Sequence, residues 1–306
     1  MTVLGYMRLA STIRQNWAED IIVTILSTML IKSLRRIFYK GGNMYKIGSS
    51  SKHLELNDEL FAQYALAGIQ VMELAMSLER FLSLDYNKIK ELADKHSVEI
   101  VSVHLPCGDC DPSRNESYDY TMGIYRTIIE KASAIGVHRY IVHTGVSSND
   151  PDERTYALNV AKKNLSDIAD MAAEYGSVIA VEVLPRTCLG RNSDEILELI
   201  SLNDKLMVCF DTNHLLKEDS TEFIRKVGKR IVTTHVSDYD FVDEKHWLPG
   251  TGMINWDRLI NTLIEVGYNG PWMHEVDFEY SDVLGRDITF EDLADKVNTI
   301  LAPHFE

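Results

Sequence analysis

Seven short apolar runs of this 306-residue chain are closed by an acid or a histidine: Glu73, His104, His143, Glu182, Asp211, His235 and Glu275. Lys, Ser, Asn or Thr would end a strand equally well, so this choice calls for a chemical reason. Clustered acids need a counter-charge, and a divalent cation supplies one. Glu182, Asp211, His235 and Glu275 offer three carboxylates and one imidazole. That donor set suits one divalent metal ion, Mn²⁺, Mg²⁺ or Co²⁺, and leaves Zn²⁺ open. Two carboxylates beside a metal-held ketose can pass a proton between them, while the metal polarises the carbonyl and stabilises the enediolate.

The elements that must place these residues are visible in the periodicity. From Met44 on, apolar runs alternate with stretches of helical period, the mark of repeated βα units and a parallel sheet. Strands are expected over residues 45–48, 69–74, 100–105, 140–144, 178–183, 206–210, 231–236 and 272–276. Most are rich in Val and Ile, as in strands covered on both faces. Residues 115–134 and 152–175 carry apolar residues at three- and four-residue spacing, and Ser193 opens a helix with a good N-cap. Gly136 and Gly176 stand where helices stop. Eight strands with intervening helices predict an α/β fold, a single (β/α)8 TIM barrel over residues 44–306, with the polar residues on the C-terminal rim where barrels build active sites. An open doubly wound sheet is the alternative, but no Gly-x-Gly-x-x-Gly follows the first strand.

The formal net charge is −15. Residues 1–43 hold six basic residues against Glu19 and Asp20, so residues 44–306 carry −19. A nucleic-acid backbone would be repelled by such a body, which has no clustered Lys/Arg patch; no nucleic-acid partner is expected. The apolar run at residues 21–31 is too short for a bilayer, which takes ~20 residues, and its basic cluster follows rather than precedes it. An interfacial anchor is one reading of this segment. The other is that residues 1–43 are a non-native or disordered extension and that Met44 is the true start. Lys40-Gly41-Gly42-Asn43 can be encoded by a purine-rich stretch resembling a ribosome-binding site. No membrane association is expected for the barrel. Cys107, Cys110, Cys188 and Cys209 do not make a disulfide scaffold, so a reducing, cytoplasmic setting is the simpler expectation.

Several motifs in a fixed order carry a resemblance. They are Val103-His104-Leu105-Pro106, Val181-Glu182-Val183-Leu184-Pro185-Arg186, Phe210-Asp211-Thr212-Asn213-His214 and Thr234-His235-Val236-Ser237-Asp238. His246-Trp247-Leu248-Pro249-Gly250-Thr251-Gly252, with Ile254 and Trp256 after it, and Met273-His274-Glu275 complete the set. The chain thereby resembles the sugar phosphate isomerase/epimerase group of the xylose-isomerase-like barrels over residues 44–306. The resemblance implies that Glu182, Asp211, His235 and Glu275 hold the metal, that Glu182 and Glu275 also exchange the substrate proton, and that His214 contacts a substrate oxygen. It also implies that residues 246–252 close over the site. Such barrels often form homo-oligomers. Two positions depart from the pattern: Tyr239, Asp240 and Phe241 stand where free-ketose epimerases place an arginine, and Val183 replaces a frequent Asn.

The same superfamily holds the class II AP endonucleases. Their zinc-ligand positions would fall on His104, His143, Glu182, Asp211, His214, His235, His246 and Glu275, with Glu244 where they use Asp. A metal-dependent phosphoesterase is therefore the alternative to a sugar isomerase or epimerase, and a non-catalytic sugar-binding barrel is a third reading. Dehydratase chemistry begins with the same proton removal. His104, His143, Arg186, His214 and His246 are the candidate substrate contacts; Arg186 could equally form a surface ion pair. His274 should point away from the barrel interior, since strand alternation opposes it to Glu275. Cys107 and Cys110 are expected as reduced loop cysteines, Trp247 and Trp256 as packing residues, and His53, His96, His138 and His304 as surface residues.

Overall fold

A computed structural model describes residues 45–145 and 149–305. The reading of residues 1–43 as an extension lies outside the described residues. Eight parallel strands close into a barrel in chain order, each bonded to its sequence neighbour and β1 to β8. They are β1 (Ile47–Ser50), β2 (Val71–Leu74), β3 (Glu99–His104), β4 (Arg139–Val142), β5 (Val178–Glu182), β6 (Leu206–Asp211), β7 (Ile231–Val236) and β8 (Trp272–His274). Tyr45–His304 forms one compact unit.

The helices follow the strands: α1 (Asp58–Ala67), α2 (Leu78–Ser83), α3 (Tyr86–His96), α4 (Tyr118–Ser133), α5 (Pro151–Ala173), α6 (Ser193–Leu199), α7 (Ser220–Val227), α8 (Trp256–Glu265) and α9 (Phe290–Lys296). Local chemistry sets their ends. Asn57, Asp85, Asp150, Asn192 and Asp219 each accept from a backbone N–H of the first turn. Asn192 is thus the cap of α6, and Ser193 is its first helical residue. Gly136 (φ +92°) and Gly176 (φ +66°) follow the ends of α4 and α5, as expected.

Alternation along each strand explains how the site is built. The residue two before each rim position fills the barrel below it: Gly48, Val71, Ser102, Ile141, Ala180, Cys209, Thr233 and Met273. These side chains are small or slender because eight strands leave little room. A Cβ at Gly48 would stand 2.7 Å from Val71 Cγ2 and from Met273 Sδ. The next inward layer is polar, formed by Ser50, Glu73, His104, His143, Glu182, Asp211, His235 and Glu275. The first strand was expected at residues 45–48 but is Ile47–Ser50. Ser49 and Ser50 look like a turn by hydropathy; they belong to the strand because the polar layer begins at their height.

Candidate metal centre

Glu182, Asp211, His235 and Glu275 converge from the ends of β5 to β8, one donor atom from each lying within 4.8 Å of the others. Asp211, His235 and Glu182 are fully buried and Glu275 is 7% exposed. His235 Nδ1 sits 2.9 Å from Glu275 Oε2 and 3.1 Å from Glu182 Oε1, with Asp211 Oδ2 at 3.9 Å. Three carboxylates this close in a poorly solvated site repel one another. Asp211 Oδ2 is also buried without a hydrogen-bond donor. That orphaned oxygen, aimed into a group of two further carboxylates and an imidazole, is the place a divalent cation would fill. The four residues fit such an ion.

Two more groups flank this one. His104 Nε2 lies 3.1 Å from His143 Nε2 and 3.2 Å from Glu182 Oε2. On the other side His246 Nε2 lies 3.0 Å from Glu244 Oε1, and His214 Nε2 is 3.7 Å from the same oxygen. Both triads have spacing that could hold an ion. A third combination replaces two acids by Cys209. Burial pushes that thiol well above its ordinary pKa.

Protonation follows from the crowding. Burial works against ionising Glu182, but His235 and His143 hold it well below the usual carboxylate range. Glu275 is held low in the same way, by His235 above all. Asp211 goes the other way: burial pushes it up and His214 only partly offsets this. Among the histidines burial opposes the charged ring, yet neighbouring acids prevail. Glu182 brings His143 up to about 10, and Glu244 brings His246 up to about 9. His235, faced by Cys209 and by Glu73, Glu182 and Glu275, is raised well above its ordinary value.

Glu182, Glu244 and Glu275 line a cavity of about 610 Å³ whose wall also includes Lys52, His53, Met76, Arg80, Leu105 and Cys107. His104, His143, His214 and His246, the candidate substrate contacts, line it beside Glu182 and Glu275. Arg186 is absent from that wall. Its Nε donates to Asp243 Oδ1 at 2.8 Å and its Nη1 to Glu244 Oε2 at 2.7 Å, so the structure gives it the ion pair, and through it a grip on Glu244. Arg186 (φ +56°) and His246 (φ +49°) both hold left-handed backbone, a strain of order 1 kcal/mol or more that the surrounding contacts sustain.

The segment 246–252 is pinned in place. Asp238 accepts from Gly250 N at 2.8 Å and Trp256 Nε1 at 3.0 Å, and its backbone pairs with Trp247. A side chain at Gly252 would collide with the Asp238 carboxylate. Trp256 is buried packing, as expected; Trp247 is 39% exposed, with Lys245 Nζ 5.9 Å from its ring centre. Cys107 and Cys110 are free thiols. His274 points outward, its Nδ1 donating to Gly48 O at 2.9 Å, and burial pushes it down to about 4. His53 is exposed, as expected, and also borders the cavity.

Two residues escaped the sequence reading. Lys52 follows β1, and its Nζ is 3.4 Å from Glu275 Oε1. Its place just beyond the end of the first strand is the available signal. Glu73 closes an apolar run without a role that the sequence assigns; it lies 3.0 Å from His235 Nε2.

Comparison with known proteins agrees with this architecture. The model of the xylose isomerase-like TIM barrel family matches residues 61–294. This chain belongs to that family. Within it, the uncharacterised protein MJ1311 of Methanocaldococcus jannaschii is 33% identical over 196 residues, 60% of this chain and 66% of that protein, just under two thirds of its length. The probable endonuclease 4 of Staphylococcus aureus is 25% identical over 198 residues, 58% of this chain and 66% of the relative. A solved D-tagatose 3-epimerase-like protein superposes with a TM-score of 0.70 at 25% identity, over 83% of this chain and 96% of its own. Among the described residues no helix is long and apolar enough to cross a membrane.

Proposed function

We propose that this xylose isomerase-like barrel is a metal-dependent isomerase or epimerase of a small sugar or sugar phosphate. The observation that carries the reading is the meeting of Glu182 and Glu275 on one nitrogen, His235 Nδ1, at 3.1 Å and 2.9 Å. Glu182, Asp211, His235 and Glu275 would hold one divalent ion, Mn, Mg, Co or Zn. When bound, the metal would polarise a substrate carbonyl and stabilise the enediolate. The protein's own part is proton movement. Either glutamate, kept ionised by the neighbouring histidines, can take a proton from the carbon beside the carbonyl, and the other returns it. His104, His143, His214 and His246 face the same cavity and can meet substrate oxygens, while Met76 and Leu105 keep water from part of the wall. The structural likeness to a tagatose 3-epimerase-like protein supports the same class. Four free thiols fit a cytoplasmic setting.

The test is exchange of substrate carbon-bound hydrogen with deuterated solvent across a panel of ketoses and their phosphates, with Mn²⁺ or Co²⁺ supplied. Exchange that disappears in Glu275→Gln supports the proposal. A complete lack of exchange with every sugar in the panel would sink it.

A second reading has its own observation. The His104–His143–Glu182 and His214–Glu244–His246 triads could each take a further ion, as a multi-metal phosphoesterase requires, and a probable endonuclease 4 is among the relatives. The −19 body charge speaks against a DNA substrate. Metal content decides: about one ion per chain favours the isomerase, near three zinc the phosphoesterase.

A further inference from the structure

Glu73 is the one fully buried acid of the polar layer that joins no ligand group. Its Oε2 accepts from Ser102 Oγ at 2.8 Å, and its Oε1 faces His235 Nε2 at 3.0 Å. The register shift between Met72 and Glu73 pairs Glu73 with Ser102, so a local irregularity in the β2–β3 ladder aims this carboxylate across the barrel. The three carboxylates of the metal group all lie on the other side of the imidazole, against Nδ1.

The two ring nitrogens therefore have different tasks. A cation among Glu182, Asp211 and Glu275 must take the place of any proton on Nδ1, because that nitrogen is the one within reach. The ring then keeps a single proton, on Nε2, where Glu73 accepts it. The opposite tautomer would set a lone pair against a buried carboxylate and block the ligand nitrogen with a proton. We propose that Glu73 is a positioning residue of the metal centre: it fixes the tautomer and ring plane of His235 so that Nδ1 binds the metal. This rests on the metal site of the proposed function and does not depend on which reaction that site performs.

Metal-free wild type, Glu73→Gln and Glu73→Ala would be titrated with Co²⁺ against a competing chelator, and the melting temperature of each metal-free protein recorded. Outer-sphere partners of ligating histidines typically matter 10- to 100-fold in metal affinity. The expected result is a loss near 100-fold in Glu73→Ala and near tenfold in Glu73→Gln, whose amide oxygen still accepts from Nε2 but lacks the charge. A role limited to bracing β2 against β7 would lower the metal-free melting temperature and leave Co²⁺ affinity unchanged; that outcome overturns the inference. Should Glu73→Ala fail to fold, Glu73→Gln alone and ¹⁵N shifts of the histidine side chains in Zn²⁺-loaded wild type still decide. A metallated Nδ1 and a protonated Nε2 on His235 support the assignment, and a metallated Nε2 refutes it. Wild type that binds no Co²⁺ removes the metal site itself, whereas tight Co²⁺ binding without sugar turnover removes only the proposed reaction.

Discussion

The inner group (Glu182, Asp211, His235, Glu275) and the outer group (His214, Glu244, His246) both gather acids and histidines, yet they are built differently. The inner donors stand at strand ends or one residue beyond, are buried, and leave Asp211 Oδ2 without a donor. Glu244 and His246 of the outer group lie on the loop after β7, where Arg186 neutralises Glu244 from outside and His246 holds a strained backbone. A closed barrel fixes the first set to within the tolerance of its hydrogen bonds. The second set depends on ion pairs, and its acid already has a cation. Under the proposed function, the difference favours proton transfer at the inner group and substrate holding, or a weaker ion, at the outer one.

This contrast can be broken at several strengths. Glu275→Gln removes one of the two proposed proton-transfer groups and is expected to lower turnover by roughly 10²–10⁴-fold with the fold intact, as read by solvent hydrogen exchange. Near-normal exchange in that variant would move the chemistry out of the inner group. Asp211→Ala should abolish tight metal binding at the inner group; elemental analysis of the purified variant, with metal retained at the wild-type level, would contradict the ligand assignment. Glu244→Gln should raise KM by about tenfold with a smaller change in kcat, the signature of lost binding shared by ground and transition states. A kcat collapse there would place the outer group in the reaction.

The pH response of the metal-free protein sharpens the comparison further. His246 is brought up to about 9 and His143 up to about 10, both above the unfolded value of about 6.5. A raised folded-state pKa stabilises fully below the unfolded value and is lost as pH climbs through the folded one. Melting temperature should therefore fall between about pH 6.5 and 10, by the equivalent of a few kcal/mol. Metal bound at the inner group should flatten that slope, because it offsets Glu182 and Glu275, acids that raise these two histidines. The smallest effect is expected for Arg186→Ala: its half-exposed ion pairs are worth ~1 kcal/mol or less in stability, with a change in KM no larger than that of Glu244→Gln.

The architecture and the membership of the inner group are legible in the amino-acid order. Eight apolar runs at βα spacing require a parallel sheet, and a polar residue closing a strand of a barrel has to reach the C-terminal rim. Alternation then separates His274 from Glu275 without reference to any contact. The relations across the barrel emerge only on folding. Glu73 and His235 are 162 residues apart and meet because strand register and the shift at Glu73 turn them toward each other. Lys52 reaches Glu275 because β1 closes onto β8. Arg186 turns to Asp243 and Glu244 instead of the cavity because two acids on the β7 loop stand within hydrogen-bond reach. Periodicity records which face a residue is on; which partner it meets there depends on closure, register and loop path, and these exist only once the chain has folded.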